Sequence, residues 1–170
     1  MLKYNKIFIG LGSNLGDRFS NLQKALALLE VDPQIKIVSS SGIYETEPMY
    51  MKDQPDFLNC VSEIETDYVP DDLLGVCLGI ETKLGRIRTG HKNKPRMIDI
   101  DILFFNRMIV NKNNLTVPHL HYHERKFVLN PICEIAPEFV CPMTQLNMKE
   151  VLEKCNDFSV VSQYSEVLTA

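Results

Sequence analysis

The stretch Pro95-Arg96-Met97-Ile98-Asp99-Ile100-Asp101-Ile102-Leu103-Phe104 carries the fold and the chemistry together. Its apolar residues recur at every second position, the period of a β-strand, whose side chains alternate between two faces. The alternation assigns Ile98, Ile100, Ile102 and Phe104 to a face packed against a core. Met97, Asp99, Asp101 and Leu103 take the other face, so two carboxylates sit side by side on an otherwise apolar surface. Carboxylates are almost never fully buried unless paired or holding a metal. Residues two apart on a strand are separated by roughly 6.5–7 Å, within reach of one or two shared hard cations. Arg96 adds a guanidinium suited to phosphate oxygens. The pattern alone leaves two readings open: a metal site, or an amphipathic edge strand whose aspartates face water.

Upstream, Arg86, Arg88, His91, Lys92, Lys94 and Arg96 form a basic run feeding into that strand. Cations concentrated beside two carboxylates in a net-acidic chain point to a polyanion held between them. The run follows a predicted helix opened by Pro70, Asp71 and Asp72, with Leu73, Val76, Cys77, Ile80 and Leu84 as its inner stripe, Glu81 towards one edge, and Gly85 closing it. Phe57 to Glu65 reads as a strand whose first residues, Phe57 and Asn59, share a face. Glu47 to Pro55 before it is a long loop, the kind that often forms a functional lid. Ile35 to Ser41, continuing towards Ile43–Thr46, is a further strand. At the start, Lys6 to Leu11 is a strand running into Gly10-Leu11-Gly12-Ser13-Asn14-Leu15-Gly16-Asp17, then a helix from about Arg18 to Glu30 with Phe19, Leu22, Leu26 and Leu29 inward. The glycines lack the spacing of a dinucleotide fingerprint and read as a tight strand-to-helix turn, with Asn14 or Asp17 capping the helix.

Downstream, Asn106-Arg107 reads as a hairpin turn leading to a short strand, Met108-Ile109-Val110. Leu115 to His119 is extended. His119, His121 and His123 alternate, which on a strand would suit zinc, but Glu124 to Leu129 reads as helical and breaks the alternation; a single functional His119 is the better reading. Pro131, Pro137 and Pro142 punctuate the C-terminal part, and Asn147 caps a last helix through Cys155.

The chain has 170 residues and a net charge of −4, which fits one domain spanning 1–170 and argues against non-specific nucleic-acid binding. Met1–Lys6 lacks a signal-peptide layout and no apolar run is long enough to span a bilayer. Five scattered cysteines without a Cys-x-x-Cys pair suggest unpaired thiols in a reducing, cytoplasmic setting.

Taken together, several stretches in order resemble 6-hydroxymethyl-7,8-dihydropterin pyrophosphokinase, the folate-pathway enzyme family. They are Gly10–Asp17, Tyr44-Glu45-Thr46, Asp53-Gln54-Pro55-Asp56-Phe57-Leu58-Asn59, Ile80-Glu81 with Gly85–Arg88, Pro95–Ile102, Leu115–His119 and Glu124–Leu129. The resemblance implies an α+β fold, a ferredoxin-like antiparallel sheet with flanking helices in three α/β/α layers and C-terminal additions. It implies transfer of pyrophosphate from ATP to the pterin's hydroxymethyl group, leaving AMP, by a monomer with two small-molecule substrates and neither nucleic-acid nor membrane partners. Asp99 and Asp101 would hold two Mg²⁺ ions, and Arg86 and Arg96 would join them in catalysis. Glu81, Arg88, Ile102, Thr116, His119 and Arg125 would bind ATP. Thr46, Glu47, Met49, Phe57, Asn59 and Phe127 would bind the pterin, the two rings sandwiching it.

Four positions depart from the family's pattern. Asn93-Lys94 stands where Trp-Gly is usual, Leu78 where Gln is frequent, and Leu120 where Tyr or Pro follows the histidine. No fused pteroate synthase is expected within this length. The Asn93-Lys94 departure keeps open a non-catalytic nucleotide- or pterin-binding relative, against which the intact aspartate pair argues. A metal-dependent nuclease or phosphohydrolase would need a basic surface that the composition does not offer.

Overall fold

Seven residues, Ile7–Ser13, form the central strand β1 of the computed structural model, which describes residues 5–169. Most of the Met1–Lys6 segment lies outside those residues. The order continues with α1 (Arg18–Glu30), β2 (Ile35–Ser40), β3 (Tyr44–Thr46), β4 (Phe57–Thr66), α2 (Pro70–Lys83) and β5 (Asp99–Phe105). Then come β6 (Val110–Asn111), β7 (Thr116–Val117), a 3₁₀ turn at Tyr122–Glu124, α3 (Lys126–Ile135), α4 (Met148–Lys154) and β8 (Val161–Gln163). The main sheet runs β5-β1-β4-β3-β8, with β2 also on β4, and every pairing is antiparallel. The β1–α1–β2/β3–β4–α2–β5 order with β1 beside both β4 and β5 is the ferredoxin-like arrangement. Among the described residues no helix is long and apolar enough to cross a membrane.

Two cores sandwich the sheet. On one face Ile7, Ile9 and Leu11 of β1 pack with Leu22, Leu26 and Leu29 of α1 and with Leu73, Cys77 and Ile80 of α2. On the other, Phe8 and Phe104 meet Phe139 and the α3 residues Leu129 and Ile132, the rings lying edge to face. α1 starts at Asp17, whose carboxylate accepts the Ser20 N–H at 3.0 Å. α4 starts at Asn147 in a capping box with Glu150. All five thiols are unpaired, with Cys60, Cys77 and Cys141 buried.

Four expectations need correction. Ile98, Ile100 and Ile102 do face the α1/α2 core, but Phe104 does not: the register with β1 shifts, Phe8 facing Phe104 and Ile9 facing Ile102. Leu103 is the extra residue of a bulge, and Leu103 and Phe104 both pack on the α3/α4 side. Gly10 and Gly12 lie within β1 and not in a turn; the turn is made at Gly16, whose φ is +70°. The strand after Asn106-Arg107 is Val110–Asn111, and it pairs with β7 in a separate two-stranded sheet, not with β5. Pro131 sits inside α3, where it is buried, and does not end a segment. The chain's last strand, β8 on β3, gave no sequence signal because Ser162 and Gln163 are exposed and Val161 only half-buried at a sheet edge.

Candidate active site

Phe8 fills the α3/α4 face of β1, but the next residues of that face are Gly10 and Gly12, and their missing side chains leave a gap. A cavity of about 770 Å³ opens there. A Cβ on Gly12 would sit 2.9 Å from Asn59 Oδ1, closer than real contacts allow, so glycine is what lets Asn59 reach across. Asn59 in turn donates to Thr46 Oγ1 at 3.0 Å, which fixes its amide. Cross-strand pairing sets Asp101 opposite Gly10 and Asp99 opposite Gly12, so both carboxylates border the same gap.

The acidic pair is unequally partnered. Asp99 is ion-paired with Arg86 and lies 3.5 Å from Arg96. Among the described residues Asp101 has one ion-pair partner, His119 Nε2 at 3.8 Å, while Arg125 and Arg86 act on it through charge alone. Burial in the cavity wall and then the charge of Asp99 push the Asp101 carboxyl up to about 7, although 39 % of its side chain stays open to the cavity. His119 is held down at about 4 by burial and by Arg125 and His121. Its Nδ1 accepts the His121 N–H at 3.2 Å, so the neutral ring carries its proton on Nε2, towards Asp101. The His119 backbone N–H donates to the carbonyl of the bulged Leu103 at 2.9 Å, so the irregularity in β5 seats the histidine. His121 and His123 flank Glu124 instead, at 3.1 and 3.5 Å. Among the described residues no three metal-ligating side chains converge.

Glu81 is buried, not edge-lying: it is 1 % exposed. Its carboxylate accepts from Ile100 N at 2.8 Å, Arg86 at 2.8 Å and Arg88 at 2.6 Å. Burial lifts its pKa, against the pull of the Ile100 N–H and Arg86. For Arg86 burial works the other way, but Asp99 and Glu81 outweigh it and hold the guanidinium charged. Every hydrogen-bond partner of its carboxylate is a donor, so the ionised form is the one the site is built around, although the charge of Asp99 opposes it. A buried acid on α2 thereby holds two arginines of the irregular segment after α2, of which Arg86 also pairs with Asp99.

The opposite wall is aromatic. Arg96 lies over the Phe57 ring at 5.3 Å, and Arg125 lies over both Phe127 and Tyr50 at 5.7 Å. The Nε atoms of Arg96 and Arg125 are shut off from solvent without an acceptor. Two loops roof the cavity and are fastened to each other. Gln54 donates to Asn93 O at 3.0 Å and accepts from Asn14, whose Oδ1 takes the Arg96 N–H at 2.9 Å. Asn14 is therefore a clasp between loops, while Asp17 alone caps α1.

The cavity gathers Thr46, Glu47, Met49, Phe57, Asn59, Glu81, Arg86, Arg88, Arg96, Asp99, Asp101, His119, Arg125 and Phe127. Ile102 and Thr116 do not line it: Ile102 is packed in the α1/α2 core, on the face of β5 away from the aspartates, and Thr116 pairs with Asn111 in the small sheet. Sequence reasoning gave no role to Tyr50, Leu74 or Asn114, which also line it. An aromatic inside a long polar loop was the available signal for Tyr50.

Residues 8–137 match the family model described as 7,8-dihydro-6-hydroxymethylpterin-pyrophosphokinase (HPPK). The chain belongs to the HPPK family. It is 43 % identical over 135 residues to the 2-amino-4-hydroxy-6-hydroxymethyldihydropteridine pyrophosphokinase of Methylorubrum extorquens, covering 79 % of this chain and 85 % of that one. It is 45 % identical over 151 residues to the folic acid synthesis protein fol1 of Schizosaccharomyces pombe, covering 88 % of this chain. It spans only about a fifth of the length of that protein and of the similarly named ones from Pneumocystis carinii and Dictyostelium discoideum. In structure it resembles the wild-type HPPK-DHPS of Plasmodium falciparum, with a TM-score of 0.70 at 18 % identity over 89 % of this chain and 45 % of that one. That likeness establishes the fold of the HPPK portion.

Proposed function

We propose that this HPPK-family chain transfers the β,γ-pyrophosphoryl group of ATP to the hydroxymethyl oxygen of 6-hydroxymethyl-7,8-dihydropterin. The bond from that oxygen to the β-phosphorus forms, the α–β bridge breaks, AMP leaves with the bridging oxygen, and the hydroxyl proton is lost. The observation that carries the reading is one cavity in which two β5 carboxylates and a set of cations face aromatic rings and a fixed amide. Charge and position do most of the work in phosphoryl transfers, and this cavity is rich in both.

Asp99 and Asp101 fit Mg²⁺: two hard oxygen donors without a third acidic ligand suit an ion that keeps water and substrate phosphates in its shell. The repulsion of Asp99 that pushes Asp101 up is what an added cation would relieve. Bound there as two ions with ATP, Mg²⁺ would neutralise phosphate charge. Arg86, steadied by Glu81, and Arg96 and Arg125, each with an unpaired Nε–H, meet the phosphate oxygens on which charge develops. Arg88 and the neutral Nε2–H of His119 add two further donors. Phe57 and Phe127 offer ring faces to a flat heterocycle. Asn59 and Thr46, with the backbone near Glu47 and Met49, read its polar edge. The unpaired thiols suit a reducing compartment, and the reading puts a monomer in the cytoplasm.

Phosphorus NMR of protein mixed with Mg²⁺, ATP and the hydroxymethyl pterin tests this. AMP and a pterin diphosphate are expected. Untouched ATP that nevertheless binds would favour a non-catalytic relative, and ADP would contradict the reaction altogether.

A further inference from the structure

Tyr50 stands apart from the rest of the cavity lining. It belongs to the loop between β3 and β4, and the residue is 49 % exposed, so the core does not explain its place. Its hydroxyl oxygen accepts from Arg125 Nη2 at 3.2 Å while its ring faces the same guanidinium at 5.7 Å. Phe127 faces that guanidinium at the same distance. Arg125 is thus held between two rings, one contributed by α3 and one by the loop. A guanidinium carries five donors, and Arg125 spends one on Tyr50 while its buried Nε–H has no acceptor.

We propose that Tyr50 is a positioning residue for the polyphosphate of the nucleotide, acting through Arg125. A long, flexible cation loses rotamer freedom when an anion binds it, and one already oriented loses less. Tyr50 supplies that orientation with a ring and a single hydrogen bond, and leaves the other donors of Arg125 for phosphate. The loop carrying Tyr50 is itself anchored, since Gln54 ties it to Met51, Asn93 and Asn14. Asn93-Lys94 brings no ring to the roof, so the aromatic contribution from the loops comes from Tyr50.

The inference rests on the nucleotide reading above, and calorimetric titration with ATP and, separately, AMP separates the two. Tyr50→Phe, which keeps the ring, weakens ATP binding about threefold, and Tyr50→Ala about tenfold, from a lost charged hydrogen bond and cation–π contact. AMP binding changes less than ATP binding in both. In an Arg125→Met background Tyr50→Ala has no further effect, because the residue through which it acts is gone. Thermal unfolding of each variant checks that it is folded; if Arg125→Met is not, Arg125→Lys takes its place in the cycle. Tyr50→Ala binding ATP like the wild type, or losses that multiply in the Arg125 background, would overturn the role of Tyr50 and leave the nucleotide reading standing. A wild type that binds no ATP would overturn both.

Discussion

Replacing Glu81 by leucine tests whether the buried acid organises the site. The side chain is 2 % exposed, so solvent cannot repair what the change breaks. The Ile100 N–H at 2.8 Å loses its acceptor, which costs about 1–3 kcal/mol for a buried donor. Arg86, 13 % exposed, keeps Asp99 and a 3.4 Å bond to the Ile98 carbonyl, while Arg88, 59 % exposed, returns to water at little cost. Breaking a buried pair from one side typically costs about 3–5 kcal/mol, and the apolar gain of leucine brings the expectation to the lower end, about 3 kcal/mol. At about 2–4 °C per kcal/mol for a domain of this size, the unfolding midpoint falls by about 6–12 °C. Glu81→Gln keeps the shape and, with its oxygen towards Ile100 and Arg86, their acceptor, but it loses the charge and the bond from Arg88, so its midpoint lies between the two. Thermal and urea unfolding at neutral pH measure both variants. A leucine variant within about 1 kcal/mol of the wild type, or a glutamine variant no better than leucine, refutes the reasoning.

Three other perturbations follow from the geometry. Gly12→Ala forces its new methyl onto Asn59 Oδ1 and breaks the bond to Thr46, so KM for the pterin rises while KM for ATP holds; equal changes in both would refute this. Asp99→Ala abolishes pyrophosphoryl transfer and leaves the far-UV circular dichroism unchanged, because its side chain is a cavity wall and not core; turnover at near-normal rate would contradict it. In metal-free protein, Asp101 titrates near 7 when folded and near 4 when unfolded, so the native chain holds the extra proton in between and stability falls as pH rises. His119 does the opposite, titrating near 4 when folded and near 6.5 when unfolded, so its contribution is lost as pH falls through that window. Urea midpoints across this range therefore slope downward with pH in His119→Gln and upward in Asp101→Asn. The same slope in both would sink the assignment.

Much of this was legible in the chain. Strand alternation in β5 placed the two aspartates on one face, and the Arg18–Glu30 helix and the Asn147 cap were readable from apolar spacing and capping chemistry. What escaped depends on contacts between distant residues. The bulge at Leu103 arises from pairing with β1, which a period-2 reading of β5 alone does not contain. Glu81 looked like a helix-edge residue because its three partners come from later segments. Gly10 and Gly12 read as turn glycines because their value lies in the space they leave beside Leu103 and Asn59, and local sequence carries no trace of it. Pro131 read as a stop although α3 continues through it, tertiary packing overriding local preference.

The doubled residue in β5 divides that strand into two segments that are out of phase. Before Leu103 the odd-numbered side chains face the cavity; after it Phe105 has crossed to the α1/α2 side. Loss of one residue at this point would bring the segments into step. Phe104 and Phe105 would keep their compartments and Asp99 and Asp101 their cavity, and the loss would fall on the Leu103 side chain and on the carbonyl that accepts the His119 N–H. The extra residue at position 103 therefore serves the placement of His119 and not the facing of the aspartates. A relative shortened there would need no matching deletion in β1, because Phe8 and Ile9 are already consecutive, but it would need another seat for its histidine.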